Sequence, residues 1–504
     1  MLSTPDTCSI CQAAMKTPLL IAFASAGLLL VGTGRATAQP LCHGHVATIV
    51  GTEGPDVIVG TPGDDVIVGL GGDDVISGGD GSDIICGGPG SDEIHGGPGM
   101  DYIFGDEGND RLFGDADWDT IHGGDGDDYI DGGEGDAYGC TSLTFDANGV
   151  ITRTTTECGL RGGPGNDEIH GGSGIDLMYG DEGDDRLYGG GGQDAIHGGD
   201  GNDFIDGGEG DNYGCGDDEI CGLRGGPGND EIHGGSGIDL MYGDEGDDRL
   251  FGGAGLDAIH GGEGNDFIDG GEGDNNGCHG DPVCGLHGGP GDDEIHGGSG
   301  MDLIFGDEGH DRLFGGAGWD SIEGGEGNDF IDGGEGDDRG CGQWAMPGPN
   351  GTVILVSGLE CGLHGGPGDD EIHGGPGMDL IYGEAGDDRL FGEAGRDSID
   401  GGDGNDSIDG GEGDDEMLGG DGVDQCTGGA GVDKCDGGPP TGDDGTDCND
   451  PDTCSADTEK RIHCNKPCAE EETTSQDNQA ERKARRERVQ QAVDRVRTYG
   501  QSIH

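Results

Sequence analysis

The chain has 504 residues, 123 of them Gly, with 107 Asp and Glu against 23 Lys and Arg and a formal net charge of −84. At 30% hydrophobic and 5% aromatic residues it lacks the apolar content of ordinary globular domains with deep cores, and so large a like charge drives a compact fold apart. Either the chain stays open or something cationic binds along most of its length, and nucleic acid, itself an anion, is not an expected partner.

Residues 1–38 read as an export signal. Met15-Lys16 precedes the apolar stretch Leu19 to Val31, and Ala36-Thr37-Ala38 supplies the small residues of a cleavage site. The first 14 residues are out of place before such a signal, which points to Met15 as the start of translation. The apolar run is too short and too Gly-broken for a transmembrane anchor, and no other stretch would span a bilayer. Leu41 before Cys42 argues against a lipid anchor. The predicted location is therefore secreted or extracellular, with cell-surface association open. Disulfides persist there. Of 18 Cys, Cys8 and Cys11 leave with the signal and an even number remains.

A lead at 39–50 is followed from Gly51 by a nine-residue phase: GTEGPDVIV, GTPGDDVIV, GLGGDDVIS, GGDGSDIIC, GGPGSDEIH. It fills 51–140, resumes at Gly162, Gly225, Gly288 and Gly365, and ends near Asp436, giving runs of ten, six, six, six and eight complete nonads. Positions one and four are nearly always Gly, position six is Asp, and position eight is Ile, Leu or Met. Repeated this often in one phase, the pattern resembles the RTX or hemolysin-type calcium-binding repeat, GGxGxDxUx. The opening is also similar to a secreted subgroup of that family, in which a Cys-Gly-containing lead (Leu41-Cys42-His43-Gly44, then Ala47-Thr48-Ile49-Val50-Gly51-Thr52) precedes the repeats and Ile85-Cys86-Gly87-Gly88 follows.

The physics leads to the same fold. The GGxGxD half makes a tight turn, where Gly tolerates positive φ. The last three residues make a short strand with one side chain inward and two outward. Two nonads complete a flattened coil, and stacked coils form an all-β, parallel β-roll, a β-helix-like solenoid of about 85 Å. One inward aliphatic per nonad does not offset the ordering of nine backbones. Another cohesive term is required, and the regularly spaced Asp names it. Stacking brings Asp residues eighteen apart to one edge, where Ca²⁺ between them would take its six to eight oxygens from carboxylates and turn carbonyls.

The resemblance implies that the position-six carboxylates and the carbonyls of the Gly-rich turns are the calcium ligands. Before the first insertion these are Asp56, Asp65, Asp74, Asp83, Asp92, Asp101, Asp110, Asp119 and Asp128. The second run supplies Asp167, Asp176, Asp185, Asp194 and Asp203, and the third Asp230, Asp239, Asp248, Asp257 and Asp266. The fourth supplies Asp293, Asp302, Asp311, Asp320, Asp329 and Asp338. The last has Asp370, Asp379, Asp388, Asp397, Asp406, Asp415, Asp424 and Asp433. Position six departs at Ala137, Asn212 and Asn275, and position four at Asp117, so weaker or missing ions are expected there.

Six-nonad blocks starting at Gly87, Gly162, Gly225 and Gly288 end in Gly139-Cys140, Gly214-Cys215, Gly277-Cys278 and Gly340-Cys341. Gly at position eight predicts an interrupted core. The insertions that follow (141–161, 216–224, 279–287 and 342–364) close with Cys-Gly-Leu, which predicts local disulfides Cys140–Cys158, Cys215–Cys221, Cys278–Cys284 and Cys341–Cys361, each worth about 2–3 kcal/mol. The nine-residue insertions either continue the coil as degenerate nonads, which alternates the loops between edges, or loop out, which keeps all loops on one edge. The long ones contain β-prone runs and are predicted hairpins. Cys42 and Cys86 are predicted to staple the lead to the first coils. Cys426 and Cys435, at position eight of consecutive nonads, would bond across the core if the sheets approach closely enough.

His95, His122, His170, His197, His233, His260, His296 and His373 recur at position nine and read as solvated strand residues, since a zinc or copper site needs three or four converging ligands. Residues 437–469, with Cys448, Cys454, Cys464 and Cys468, read as a small two-disulfide module of open connectivity. The tail, 470–504, holds a predicted helix from Ala480 to Thr498 with Val489, Val493 and Val496 on one stripe and seven Lys and Arg.

The expected function is a non-catalytic, extracellular calcium-binding repeat protein, folded by Ca²⁺ and acting as a structural, adhesion or interaction scaffold. The insertion loops and basic tail are its candidate contacts with surface polymers or other proteins. A relative of the secreted toxins or enzymes of the same family is the alternative, but no HExxH, GxSxG or long pore-forming region is present. A calcium buffer or mineral-binding protein also fits the carboxylate density.

Overall fold

Each nonad divides as its residues demand: a Gly-rich turn, then a short strand centred on position eight. The computed structural model describes residues 39–135, 137, 159–212, 222–275, 285–336, 338 and 362–436, with the backbone of short strands at 142–145, 151–154, 344–348, 352–356, 453–455 and 463–464. Alternate nonads supply two parallel sheets. In the first, Leu112 pairs with Ile94 and Ile130; in the second, Ile103 pairs with Ile85 and Ile121. The register is eighteen residues, one coil, and about 18 coils stack into an all-β solenoid. The core is a single file of position-eight side chains from Ile58 to Cys435, nearly all of them completely buried. No helix occurs among the described residues, so none there is long and apolar enough to cross a membrane.

The core is not interrupted at the insertions. The second-sheet slot expected to hold Gly at position eight is filled instead by Leu160, Leu223, Leu286 and Leu363, each 0% exposed. These leucines pair with Ile121, Ile196, Ile259 and Ile322. The chain completes the sixth turn of the block, departs, and re-enters the sheet at Cys-Gly-Leu. A whole insertion therefore lies inside one half-coil. Each block is three coils, and all four insertions leave from the same edge, which decides between the two arrangements left open by the sequence. The long insertions form antiparallel hairpins, Ser142–Phe145 with Ile151–Thr154 and Trp344–Gly348 with Thr352–Val356.

The two sheets differ more than a uniform repeat predicts. On the first, position seven carries outward-facing residues such as Glu93, Arg111 and Phe204. On the second, position seven is buried at Leu177, Ala195, Leu240, Ala258 and Leu303, against the expectation of two outward side chains. One cause is the Gly of Cys-Gly-Leu. Gly222 has φ +74, and a Cβ built there would lie 2.1 Å from the Leu240 carbonyl oxygen, so the returning backbone presses flat onto the next coil.

The predicted staple is present: Cys42 and Cys86 are bonded, with Cα atoms 5.7 Å apart. Around it Cys42, Ala47, Val68, Cys86 and Phe104 form a second small apolar cluster, and Ile49–Val50 already pairs with Ile67–Val68.

At the other end, Cys426 and Cys435 lie buried in opposite sheets and are not bonded to each other. The roll instead continues past the end of the periodicity. Thr453–Ser455 pairs with Gln425–Thr427, and His463–Cys464 with Lys434–Cys435, which sets Cys454 beside Cys426 and Cys464 beside Cys435. Peptide mapping of the oxidised protein without reduction is expected to recover no Cys426–Cys435 peptide. The leader, the four loop disulfides and the tail helix lie outside the described residues.

Candidate metal centre

The position-six aspartates form two ladders, one along each edge of the roll. The backbone N–H of each donates to Oδ1 of the Asp one coil on: Asp92 to Asp110 at 2.7 Å and Asp110 to Asp128 at 2.7 Å. The ladder runs through every insertion, from Asp128 to Asp167, Asp203 to Asp230, Asp266 to Asp293 and Asp329 to Asp370 at 2.7–2.8 Å. The second edge repeats it, with Asp101 donating to Asp119 at 2.9 Å and Asp302 to Asp320 at 3.0 Å. Turn geometry sets this up. Position four backs directly onto the preceding coil: a Cβ on Gly108, at φ +139, would lie 1.6 Å from the Gly90 carbonyl oxygen.

The second carboxylate oxygen is the chemically unsettled atom. Oδ2 of Asp92, Asp110, Asp128, Asp167, Asp230 and Asp248 is buried and finds no hydrogen-bond donor. It lies beside a second acceptor: a Cβ built on Gly105 would be 2.3 Å from Asp110 Oδ2 and 2.5 Å from the Gly123 carbonyl oxygen. Two acceptors cannot satisfy each other, so the pair requires a proton or a cation. Burial, augmented by neighbouring carboxylates, pushes Asp92 and Asp110 up to about 7 and Asp119, Asp167, Asp230, Asp293 and Asp370 up to about 8. A hard, oxygen-seeking divalent cation fits this donor set. No three His, Cys, Asp or Glu among the described residues form a metal-binding group.

Departures from the repeat are informative. Asn212 and Asn275 keep their Oδ1 in the ladder, accepting from Asp194 and Asp257. Their Nδ2 donates to the Gly234 and Gly297 carbonyls at 3.4 and 3.2 Å. The amide thus replaces with its own N–H what the carboxylate needs from outside. Ala137 keeps only the backbone link, donating to Asp176 Oδ1 at 2.8 Å. Asp56 and Asp65 also differ from the rest of the predicted set. Their Oδ2 atoms accept from the backbone N–H and hydroxyl of Thr52 and Thr61 at 2.6–2.8 Å. Although burial raises the Asp65 pKa, the bonds from Thr61 and Thr48 bring it below its ordinary value. These end turns are closed by threonine, a role signalled only by Thr replacing Gly at position two.

The position-nine histidines are not simply solvated. On the first sheet His95, His170, His233, His296 and His373 each stack on the ring one coil on at 4.5–4.7 Å, within a continuous aromatic file from His95 to Phe391. On the second sheet, burial first and Arg161 next hold His122 down at about 4. Ring stacking from coil to coil is a structural role their recurrence serves.

Parallel stacked coils with buried acidic ladders define a calcium-type β-roll. The family model for the RTX calcium-binding nonapeptide repeat matches residues 50–85, 87–117, 108–137, 161–196, 188–219, 224–259, 242–276, 287–320, 314–342, 364–399 and 400–435, more than half of the chain. The chain belongs to this family, and it is a calcium-binding repeat protein. No curated protein matches it.

Proposed function

We propose that Ca²⁺ sits between successive turns along both edges, held by the position-six carboxylates and the turn carbonyls, and that its binding folds the chain into a rigid rod serving as a non-catalytic extracellular scaffold. One observation carries the reading: a buried Oδ2 without a donor, facing a carbonyl oxygen, recurs coil after coil. The export leader and the Cys42–Cys86 bond support a location outside the cell, where calcium modules work at about 10⁻⁴–10⁻³ M. The insertions, all on one edge, are the variable surface such a rod would present to other proteins or surface polymers, with the basic tail as a further contact.

Calcium titration followed by isothermal calorimetry tests the site. Asp248→Asn is expected to lower the stoichiometry by about one ion while preserving the roll, because an amide there can donate to the Gly261 carbonyl as Asn212 does to Gly234. Asp248→Ala additionally leaves the Asp230 N–H, now bonded to Asp248 Oδ1 at 2.8 Å, without an acceptor. That costs about 1–3 kcal/mol and raises the calcium midpoint. Equal stoichiometry in wild type and both variants would remove Asp248 from the ligand set.

A further inference from the structure

The two edges of the roll are chemically unlike at position five. On the first edge this position is polar from Asp73 to Asn405, with Pro55 and the exposed Val423 as exceptions at the ends, and the polar residues join coil to coil: Asp184 N–H to Asn166 Oδ1 and Asn202 N–H to Asp184 Oδ1, both at 3.0 Å. On the second edge it carries large apolar residues at most of the first two coils of each block, with Asp211 and Asp274 at the third and Gln193 and Arg396 interrupting the line. Met100 is 50% exposed, Trp118 52%, Leu256 36%, Met301 37%, Trp319 54% and Met378 39%. Trp118 and Trp319 both stand on this line and are both exposed.

This is also the edge from which all four insertions depart, and where Ala137, Asn212 and Asn275 replace the carboxylate.

We propose that this edge pairs with the same edge of a second copy of the chain, in antiparallel, two-fold fashion. Apolar positions recur with the three-coil block, about every 14 Å. A two-fold axis across the edge superposes one such period on the other, as an isologous contact requires. From Met100 to Met378 the edge spans 12 coil steps, about 58 Å at roughly 4.8 Å each. At about 10 Å width it offers roughly 600 Å² per copy and 1,200 Å² for the pair, the lower bound of a stable interface. Carboxylate repulsion opposes approach of two such chains, so pairing requires calcium on the ladders.

The inference rests on the calcium-folded rod proposed above, and the two fail separately: circular dichroism reports the rod, molecular mass reports the pair. Sedimentation velocity of the full secreted chain in millimolar calcium at about 10 µM is expected to give a two-copy species. Trp118→Ser/Leu256→Ser/Trp319→Ser is expected to weaken pairing at least about tenfold with an unchanged β signal. Met301→Ser/Met378→Ser serves if the triple variant loses that signal. A wild type with full β signal that stays one-copy overturns the proposal, as does a folded variant that pairs as tightly as wild type. One-copy protein that floats with phosphatidylcholine vesicles through the same tryptophans also overturns it, in favour of a lipid surface.

Discussion

In excess chelator at pH 8 the protein is expected to lose its ordered β signal, and in millimolar calcium to regain it. The buried carboxylates decide this. Without a cation, Asp119, Asp167, Asp230, Asp293 and Asp370 hold their protons up to about 8 in the folded roll, against about 3.9 in an unfolded chain. A folded-state pKa raised in this way contributes stability that is complete below the unfolded pKa and is lost as pH rises through the folded one. The calcium-free roll is therefore favoured by acid and loses stability progressively as pH rises from about 4 to the folded values of about 7 to 8. Calcium reverses the slope. Binding displaces those protons, so the calcium midpoint falls with rising pH, by up to about tenfold per unit for each proton released per ion. Circular dichroism from pH 5 to 9, with and without chelator, reads both slopes. A β signal at pH 8 unchanged by chelator would show that the roll coheres without the ion.

Leu223→Ala is expected to be the most damaging single truncation at an insertion. Leu223 is 0% exposed and fills the core between Ile196 and Met241. Removing its side chain should cost about 2–5 kcal/mol. The cavity lies where nine extra residues enter the half-coil, so the loss is expected to raise the calcium midpoint for the whole rod, because each coil is held only by its neighbours. Similar midpoints for Leu223→Ala and wild type would mean that the returning strand does not supply the core there.

The repeat itself was legible in the residues. A fixed nonad with Asp at six and an aliphatic at eight admits one economical arrangement, and the parallel roll, its eighteen-residue register and the paired ladders of Asp92, Asp110 and Asp128 follow from that period. The Cys42–Cys86 bond was readable for a similar reason, since a lead and an early coil each offered one thiol. Other features were hidden by the averaging that makes a repeat recognisable. In the consensus, position five is any residue and position seven is outward; only assigning alternate nonads to opposite sheets shows that Trp118 and Trp319 share an edge, or that Leu177 and Leu240 are covered.

Tertiary stacking also decided which atom of each aspartate is satisfied. Spacing places the carboxylates, but the hydrogen bond from the Asp one coil earlier occupies Oδ1 and leaves Oδ2 facing a carbonyl. The same stacking lets Thr52 and Thr61 close the first turns and carries Leu223 into a slot that counting gives to Gly214. Local sequence fixes turn and strand because those depend on φ and side-chain alternation within nine residues. Satisfaction of a buried polar atom depends on the neighbouring coil, which lies eighteen residues away in one place and 27, 39 or 41 in another.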